Sequence, residues 1–419
     1  MIKAAVLGKP VSHSLSPYIF NGIANGLKID FHYSRITTDD FTKALNLCNK
    51  LNLFGINITS PYKSDSAKES DLKTLEVRET NAANILIFND IIKSFNSDYH
   101  ALFSILSDRF ISRSSKALVI GSGSTAMTAL CALKNYGINN ITLTARKSAT
   151  MIFGFNCNLC NFISIDEINS LETYELIINT IPENDYIKPN MFCNKNQVLI
   201  DTLYHNTYLE SVACHYISGR EWLVRQSIPF LEMIFANKFE FDSLFPFIEN
   251  IGKNLKKIAM VGFSGSGKST LAGIISEKLN FEFIDIDEEI ENVTGMNISK
   301  IFTQYGESEF RNIEKNIIFN LRISKPTIVA FGGGSIQNVE LLDYIKKNYY
   351  VIYIYNDLAT SMSRITGLEN RPMLSLYDAD ELYSSRLDNY YKSSDLIIDN
   401  TGDLKQVSNL LEYEIRNII

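Results

Sequence analysis

Residues 262–269 read Gly262-Phe-Ser-Gly-Ser-Gly-Lys268-Ser269, and this run constrains the fold more than any other stretch of the chain. It fits G-x-x-x-x-G-K-[ST], follows the apolar run KIAMV and opens a helical stretch. Its glycines let backbone N–H groups wrap phosphate oxygens, and the N-terminus of the following helix favours negative charge. Gly265, Ser266, Gly267, Lys268, Ser269 and Thr270 are therefore the expected phosphate contacts. Lys268 bridges the terminal phosphates of ATP in this reading, and the Ser269 hydroxyl meets Mg²⁺. The loop is silent about the acceptor.

A parallel α/β sheet is the setting such a loop needs, and the flanking sequence supplies it. Strand-like runs follow at FEFIDID (281–287), TIVAFG (327–332) and VIYIY (351–355), with helical stretches between them. An earlier series comprises KAAVLG near the start, ALVIG (117–121), ITLTA (141–145), ELIINT (175–180) and QVLIDTL (197–203). A second glycine-rich strand-to-helix turn, Gly121-Ser122-Gly123-Ser124-Thr125-Ala126, fits the dinucleotide pattern G-x-G-x-x-[GA]. Two such turns more than a hundred residues apart imply two nucleotide-binding sheets. The 419 residues have room for about three domains. The expected division is 1–101, 102–250 and 256–419, with the main boundary in the polar segment NIGKNLKK and the final helices of 102–250 returning to the first domain.

Composition removes several classes of function. A net charge of -7 gives no basic footprint for nucleic acid. No apolar stretch approaches the ~20 residues of a membrane helix, and the start lacks the apolar core of a signal peptide. The cytoplasm is the default location. Cys157 and Cys160 form a CxxC without a second ligand pair, which favours ordinary thiols over zinc.

The residues around the phosphate loop name an acceptor. Asp285-Ile-Asp287 ends the next strand, with both carboxylates on one side by the period-two rule. Gly306-Glu-Ser-Glu-Phe-Arg311, Phe331-Gly332-Gly333-Gly334, Arg364, Asn370-Arg371-Pro372 and Arg386-x-x-x-Tyr390 follow in that order. The series over residues 256–400 resembles shikimate kinase. The resemblance implies that Asp285 lies near the metal and Asp287 holds the reacting hydroxyl. It also implies that Arg311 and Arg386 clamp the substrate carboxylate, a task suited to their bidentate fork. Gly332 and Gly333 approach the ring by backbone, Arg371 belongs to a lid that reaches the phosphates, and Arg364 lies against the adenine. The stretch from 256 onward contains no histidine, so a carboxylate, Asp287 first, is the natural proton acceptor.

The N-terminal half carries Gly8-Lys-Pro10-x-x-His13-Ser14-Leu-Ser16-Pro17, Asn57-Ile-Thr59-Ser-Pro61-Tyr-Lys63, Asn81-Ala-Ala-Asn84, Asn96-Ser-Asp98, Tyr204 and Trp222-Leu-Val-Arg-Gln226. This order, over about residues 1–245, is similar to shikimate dehydrogenase. The resemblance implies Ser14 and Ser16 on the substrate carboxylate, and Asn57, Thr59, Asn84, Asp98, Tyr204 and Gln226 on the ring-hydroxyl side. Lys63 with Asp98 is the implied catalytic pair. At the end of the next strand, Arg146 and Lys147 stand where an NAD enzyme has an acidic ribose reader, which suits the 2′-phosphate of NADP.

This half departs from its family at Asn81, Ile85, Ser97, Ala101, Arg146-Lys147 and His205-Asn206, and it lacks the Gly-Met expected after Pro182. The two resemblances together imply a fused enzyme of aromatic amino-acid biosynthesis. It would reduce 3-dehydroshikimate with NADPH and then phosphorylate shikimate. The alternatives are a kinase joined to a non-catalytic module, or to a dehydrogenase of the quinate type. The oligomeric state is left open.

Overall fold

The computed structural model describes residues 1–146, 160–168, 170–181, 197–203, 208–211, 215–248, 256–365 and 372–419. Lys147, Tyr204 and Arg371 lie outside the described residues, as does most of the segment NIGKNLKK. Among the described residues no helix is long and apolar enough to cross a membrane.

In chain order the first strands are β1 (Ile2–Gly8), β2 (Phe31–Thr37), β3 (Gly55–Ile58), β4 (Leu72–Lys73), β5 (Ile85–Phe88) and β6 (Ile92–Phe95). Next come β7 (Ala117–Ile120), β8 (Ile141–Ala145), β9 (Asn161–Ser164), β10 (Leu176–Asn179), β11 (Val198–Asp201) and β12 (His215–Ile217). The last are β13 (Lys257–Val261), β14 (Glu282–Asp285), β15 (Thr327–Ala330), β16 (Tyr350–Tyr355) and β17 (Leu396–Asp399). Contacts divide the chain into two units. One comprises Met1–Pro17, Ala24–Leu53 and Ile251–Ile419; the other comprises Tyr18–Ile23 and Phe54–Asn250.

In the first unit the strands run β14-β15-β13-β16-β17-β2-β1, and every pair is parallel. Parallel strands are covered on both faces, which is why TIVA, KIAMV and YVIYIY are nearly continuous apolar runs. The β2 strand FHYSRIT is buried along its whole length despite its polar residues. Its pairing with β17 supplies their partners: Ile36 lies opposite Ile397 and Thr37 opposite Ile398. His32 Nε2 donates to the Ser394 carbonyl at 2.8 Å, and Ser34 Oγ donates to the same oxygen at 3.1 Å. One strand edge from each end of the chain is thereby closed, which removes two surfaces open to unwanted pairing.

The sequence reading of Asp287 as a strand residue is corrected here. β14 ends at Asp285, whose carboxylate caps the helix Ile286–Thr294 by accepting the Asp287 N–H at 2.9 Å. Asp287 therefore sits in the first turn of that helix. An Asp followed by further carboxylates is a strong helix start, and it outweighs the apolar run that precedes it.

The second unit holds two sheets. β3, β5 and β6 form an antiparallel meander with β4 parallel to β6, an arrangement the sequence reading did not anticipate. At Gly55 a Cβ would come within 2.5 Å of the Leu86 carbonyl, so the meander packs only with glycine there. The other sheet is parallel, in the order β12-β11-β10-β7-β8-β9. Between β7 and β8 runs the helix Ser124–Tyr136, whose Ala126, Leu130 and Leu133 pack with Val119, Leu143 and Ile178. The helix Gly219–Phe235, capped by Ser218, lies along the helix Ser97–Asp108 and is tied to it by Arg225–Asp108 and Arg109–Glu221 ion pairs.

Candidate functional site

In the first unit, the loop after β13 carries Lys268 into the first turn of the helix Lys268–Leu279. Gly267 adopts φ +89°, a left-handed conformation, and a Cβ there would meet Asn400 Nδ2 at 2.5 Å. Asn400 in turn donates to the Ser266 carbonyl at 2.7 Å, and Arg364 donates to the Asn400 carbonyl at 2.9 Å. Arg364 thus stands beside the loop. The Lys268 ammonium is buried and donates to the Phe263 carbonyl at 3.0 Å. Ser269 Oγ donates to Asp285 Oδ2 at 2.5 Å. Those two oxygens fit Mg²⁺, which takes few protein ligands and completes its shell with phosphate and water. Thr270 is exposed on the same helix.

Around Asp287 the structure gathers a pocket lined by Arg311, Gly332 and Gly333 together with apolar Phe302, Phe310 and Met373. A Cβ on Gly332 would sit 3.0 Å from Asp287 Oδ1, so the backbone is the closest group the glycine can present. Arg311 pairs with Glu314 at 2.7 Å, and Ser335 Oγ donates to the other Glu314 oxygen at 2.6 Å. Arg386 is buried and donates to the Gly333 carbonyl at 3.0 Å, an oxygen that also accepts from the Tyr390 hydroxyl.

Glu314, Asn400 and Tyr390 were not assigned roles from sequence. Glu314 had one visible signal, its position three residues after Arg311 on a helix. A methyl group at residue 334 would stand 2.3 Å from an Arg311 guanidinium nitrogen. Gly334→Ala is expected to displace that side chain and raise the KM for the phosphoryl acceptor roughly tenfold, with nucleotide affinity unchanged. Steady-state kinetics with each reactant varied in turn would check this.

In the second unit, Lys63 opens the helix Lys63–Lys68 just past β3, at the carboxyl end of that strand. Its ammonium lies 2.5 Å from Asp98 Oδ2 and donates to Thr125 Oγ1 at 3.1 Å. Asp98 is 2% exposed, so the pair is held largely out of water. Trp222 Nε1 donates to the other Asp98 oxygen at 3.1 Å. Sequence reading quoted Trp222 without a role, because only the folded chain brings it to Asp98. Asn96 caps the helix bearing Asp98, and its amide donates to Thr80 Oγ1, the Ala82 carbonyl and Thr128 Oγ1. The carboxylate is thus fixed from three directions.

Thr125 belongs to the glycine-rich turn that follows β7. Gly121 there has φ +124°, and a Cβ would meet Thr180 Oγ1 at 2.2 Å. Around Gly123 nothing lies within 4 Å of the Cβ position, which leaves its backbone open to a pyrophosphate. Ser122 and Ser124 are half-buried, Ala126 is packed into the core, and Arg146 is exposed at the end of β8. These features fit a dinucleotide. Asp201, which ends β11 in the same sheet, has its carboxyl raised above the usual range by burial, partly offset by hydrogen bonds from Leu203, Asn179 and Tyr216.

Of the remaining expected contacts in this unit, Asn57 and Thr59 are half-buried at the end of β3. Asn84 Oδ1 accepts from the Ser97 N–H at 2.7 Å, so half of its amide is spent on structure. Gln226 is half-buried on the helix Gly219–Phe235. Ser14 and Ser16 belong to the first unit, where both are buried and their hydroxyls lie 3.4 Å apart.

A phosphate loop between the central strand of a parallel sheet and its helix, with a carboxylate on the loop serine and arginines about a second pocket, defines a P-loop phosphotransferase. Residues 264–415 match the family described as shikimate kinase. A shikimate kinase of Thermodesulfovibrio yellowstonii is 34% identical over 151 residues, which are 35% of this chain and 87% of the relative. One from Persephonella marina is 39% identical over 150 residues, 35% of this chain and 91% of the relative. Through this part the chain belongs to the shikimate kinase family.

Residues 6–86 match the shikimate dehydrogenase substrate binding domain. The crystal structure of shikimate 5-dehydrogenase from Thermus thermophilus in complex with NADP(H) and shikimate covers 59% of this chain and 98% of its own. Its TM-score is 0.52 at 18% identity, which shows the shared fold. A shikimate kinase domain and a segment matching the shikimate dehydrogenase substrate binding domain therefore stand in one chain.

Proposed function

We propose that this chain catalyses two consecutive reactions: reduction of 3-dehydroshikimate to shikimate with NADPH, and phosphorylation of shikimate at its 3-hydroxyl with ATP. The observation that carries the first half is the sequestered Lys63–Asp98 pair, tied to Thr125 of the dinucleotide turn. The product of one reaction is the substrate of the other, so the two assignments support each other.

Bound NADPH supplies a hydride, and bound ATP with Mg²⁺ supplies the γ-phosphoryl group. The chain's own residues do the rest. As the ketone oxygen gains negative charge, the Lys63 ammonium gives it a proton, which lowers the barrier where charge develops. Asp98 keeps the ammonium in place and binds substrate, and Trp222 stops the carboxylate from rotating away. Ser14 and Ser16 take the substrate carboxylate, while Asn57, Thr59, Asn84, Tyr204 and Gln226 take ring hydroxyls. Arg146 and Lys147 meet the 2′-phosphate of the dinucleotide.

In the kinase, Asp287 accepts the hydroxyl proton while Arg311 and Arg386 hold the substrate carboxylate. The backbone of Gly332 and Gly333 borders the ring. Lys268 and Arg371 neutralise phosphate charge, Arg364 faces the adenine, and Ser269 and Asp285 hold the metal. We place the dehydrogenase in residues 1–250 and the kinase in residues 256–419.

One purified sample should consume NADPH with 3-dehydroshikimate and form ADP with shikimate. Folded protein that fails in either assay would overturn that half of the proposal. Quinate tested in parallel distinguishes the substrate class.

A further inference from the structure

The loop that carries Ser14 and Ser16 is held by the C-terminal end of the kinase. Glu414 lies on the helix Leu404–Arg416 and is fully buried. Among the described residues it has no ion-pair partner. Its charge is met instead by the N-terminal segment. The Val11 and Ser12 N–H groups donate to Oε2 at 3.1 and 2.9 Å, and Thr37 Oγ1 donates to Oε1 at 2.5 Å. The Ser12 hydroxyl returns a bond to the Glu414 carbonyl at 2.8 Å.

A carboxylate buried without a cation is stable only when fixed donors replace its water. Two consecutive backbone N–H groups form the concave donor pair that suits an anion. The opposite side of the same loop is also tied down. Arg35 is buried, and its Nε and one terminal nitrogen donate to the Ser14 carbonyl at 3.1 and 2.6 Å. Its remaining nitrogen donates to the Asp395 carbonyl at 3.1 Å, next to β17. Ser14 N–H closes the turn on the Val11 carbonyl at 2.9 Å.

We propose that Glu414 is a positioning residue of the dehydrogenase: from the last helix of the kinase it fixes the Val11–Ser16 loop, so that the two serine hydroxyls are already placed for the substrate carboxylate. This rests on the role given above to Ser14 and Ser16. A loop placed in advance loses less freedom on binding, so the effect falls on substrate affinity rather than on the chemical step. The fused chain then has a physical reason beyond economy, because the dehydrogenase's binding loop is completed by the kinase.

Glu414→Gln keeps the shape but removes the charge and turns an amide donor toward backbone donors. It is expected to raise the KM for 3-dehydroshikimate about tenfold, with dehydrogenase kcat within about twofold. The kinase constants for ATP and shikimate should stay at wild-type values, since the side-chain hydrogen bonds of Glu414 to other described residues go to Val11, Ser12 and Thr37. Amide hydrogen exchange of the peptide spanning Val11 and Ser12 should accelerate. Thr37→Val, which keeps the carboxylate and removes one donor, should give a smaller KM rise in the same direction and serves if Glu414→Gln loses kinase activity through misfolding. Wild-type protein without NADPH turnover would overturn the dehydrogenase reading and this role with it. Normal wild-type turnover with unchanged KM in both variants would overturn the positioning role alone.

Discussion

Lys63→Met is expected to lower the dehydrogenase kcat by about 10²–10⁴-fold, the usual contribution of a positioned proton donor. Methionine keeps the apolar stem and removes the proton. The size of the effect follows from what surrounds Lys63. Its ammonium is shared between Asp98 Oδ2 and Thr125 Oγ1, and no other titratable group is bonded to Asp98 among the described residues. Water must therefore serve as donor in the variant, without the orientation that the buried carboxylate provides.

Among the described residues, removing the lysine also leaves the Asp98 carboxylate with only Trp222 as a side-chain partner, and an unpaired buried charge is destabilising. Melting temperature should fall for that reason, and kinase turnover on the same sample separates loss of fold from loss of chemistry. Unchanged dehydrogenase kcat in a folded variant would remove Lys63 from the mechanism. Rescue by Lys63→Arg is expected to be poor, because the guanidinium holds its proton at any working pH.

The parts of this architecture legible in the sequence are those written in adjacent residues. The phosphate loop and the dinucleotide turn each combine a strand, glycines at fixed offsets and a helix start, so both were recognisable. Lys63 and Asp98 were recognisable through their local motifs, although the pair is made by chain segments 35 residues apart. Asp285 shows where local reading fails. The apolar run before it suggested a strand continuing to Asp287, but the carboxylate's preference for capping a helix ended the strand two residues earlier.

The roles of Trp222, Asn400 and Glu414 were invisible for a different reason. Each acts on a partner far along the chain, and in sequence each looks like an ordinary core or surface residue. The pairing of β2 with β17 belongs to the same class. FHYSRIT has no clear apolar alternation, and its His32, Ser34 and Arg35 make sense only once Ser394 and Asp395 are beside them.

In the kinase, Asp287→Asn should reduce kcat by about 10²–10⁴-fold while leaving ATP affinity near wild type. The split follows from position. Asp287 sits in the first turn of the helix after Asp285 and lines the pocket with Arg311 and Gly332, whereas Lys268 and Ser269 are not among that pocket's described lining residues. Asparagine keeps the size and can still accept a hydrogen bond from the hydroxyl, so the KM for shikimate should rise only a few-fold. What it cannot do is take the proton as the phosphoryl group arrives, and no histidine stands in residues 256–419 to replace it. Asp285→Asn should behave differently. Its oxygen faces Ser269 at 2.5 Å, so that variant should need more Mg²⁺ for half-maximal rate. Dehydrogenase turnover on the same samples reports that the chain is folded. A kinase kcat for Asp287→Asn within about threefold of wild type, at saturating ATP, Mg²⁺ and shikimate, would move the proton acceptor to another group.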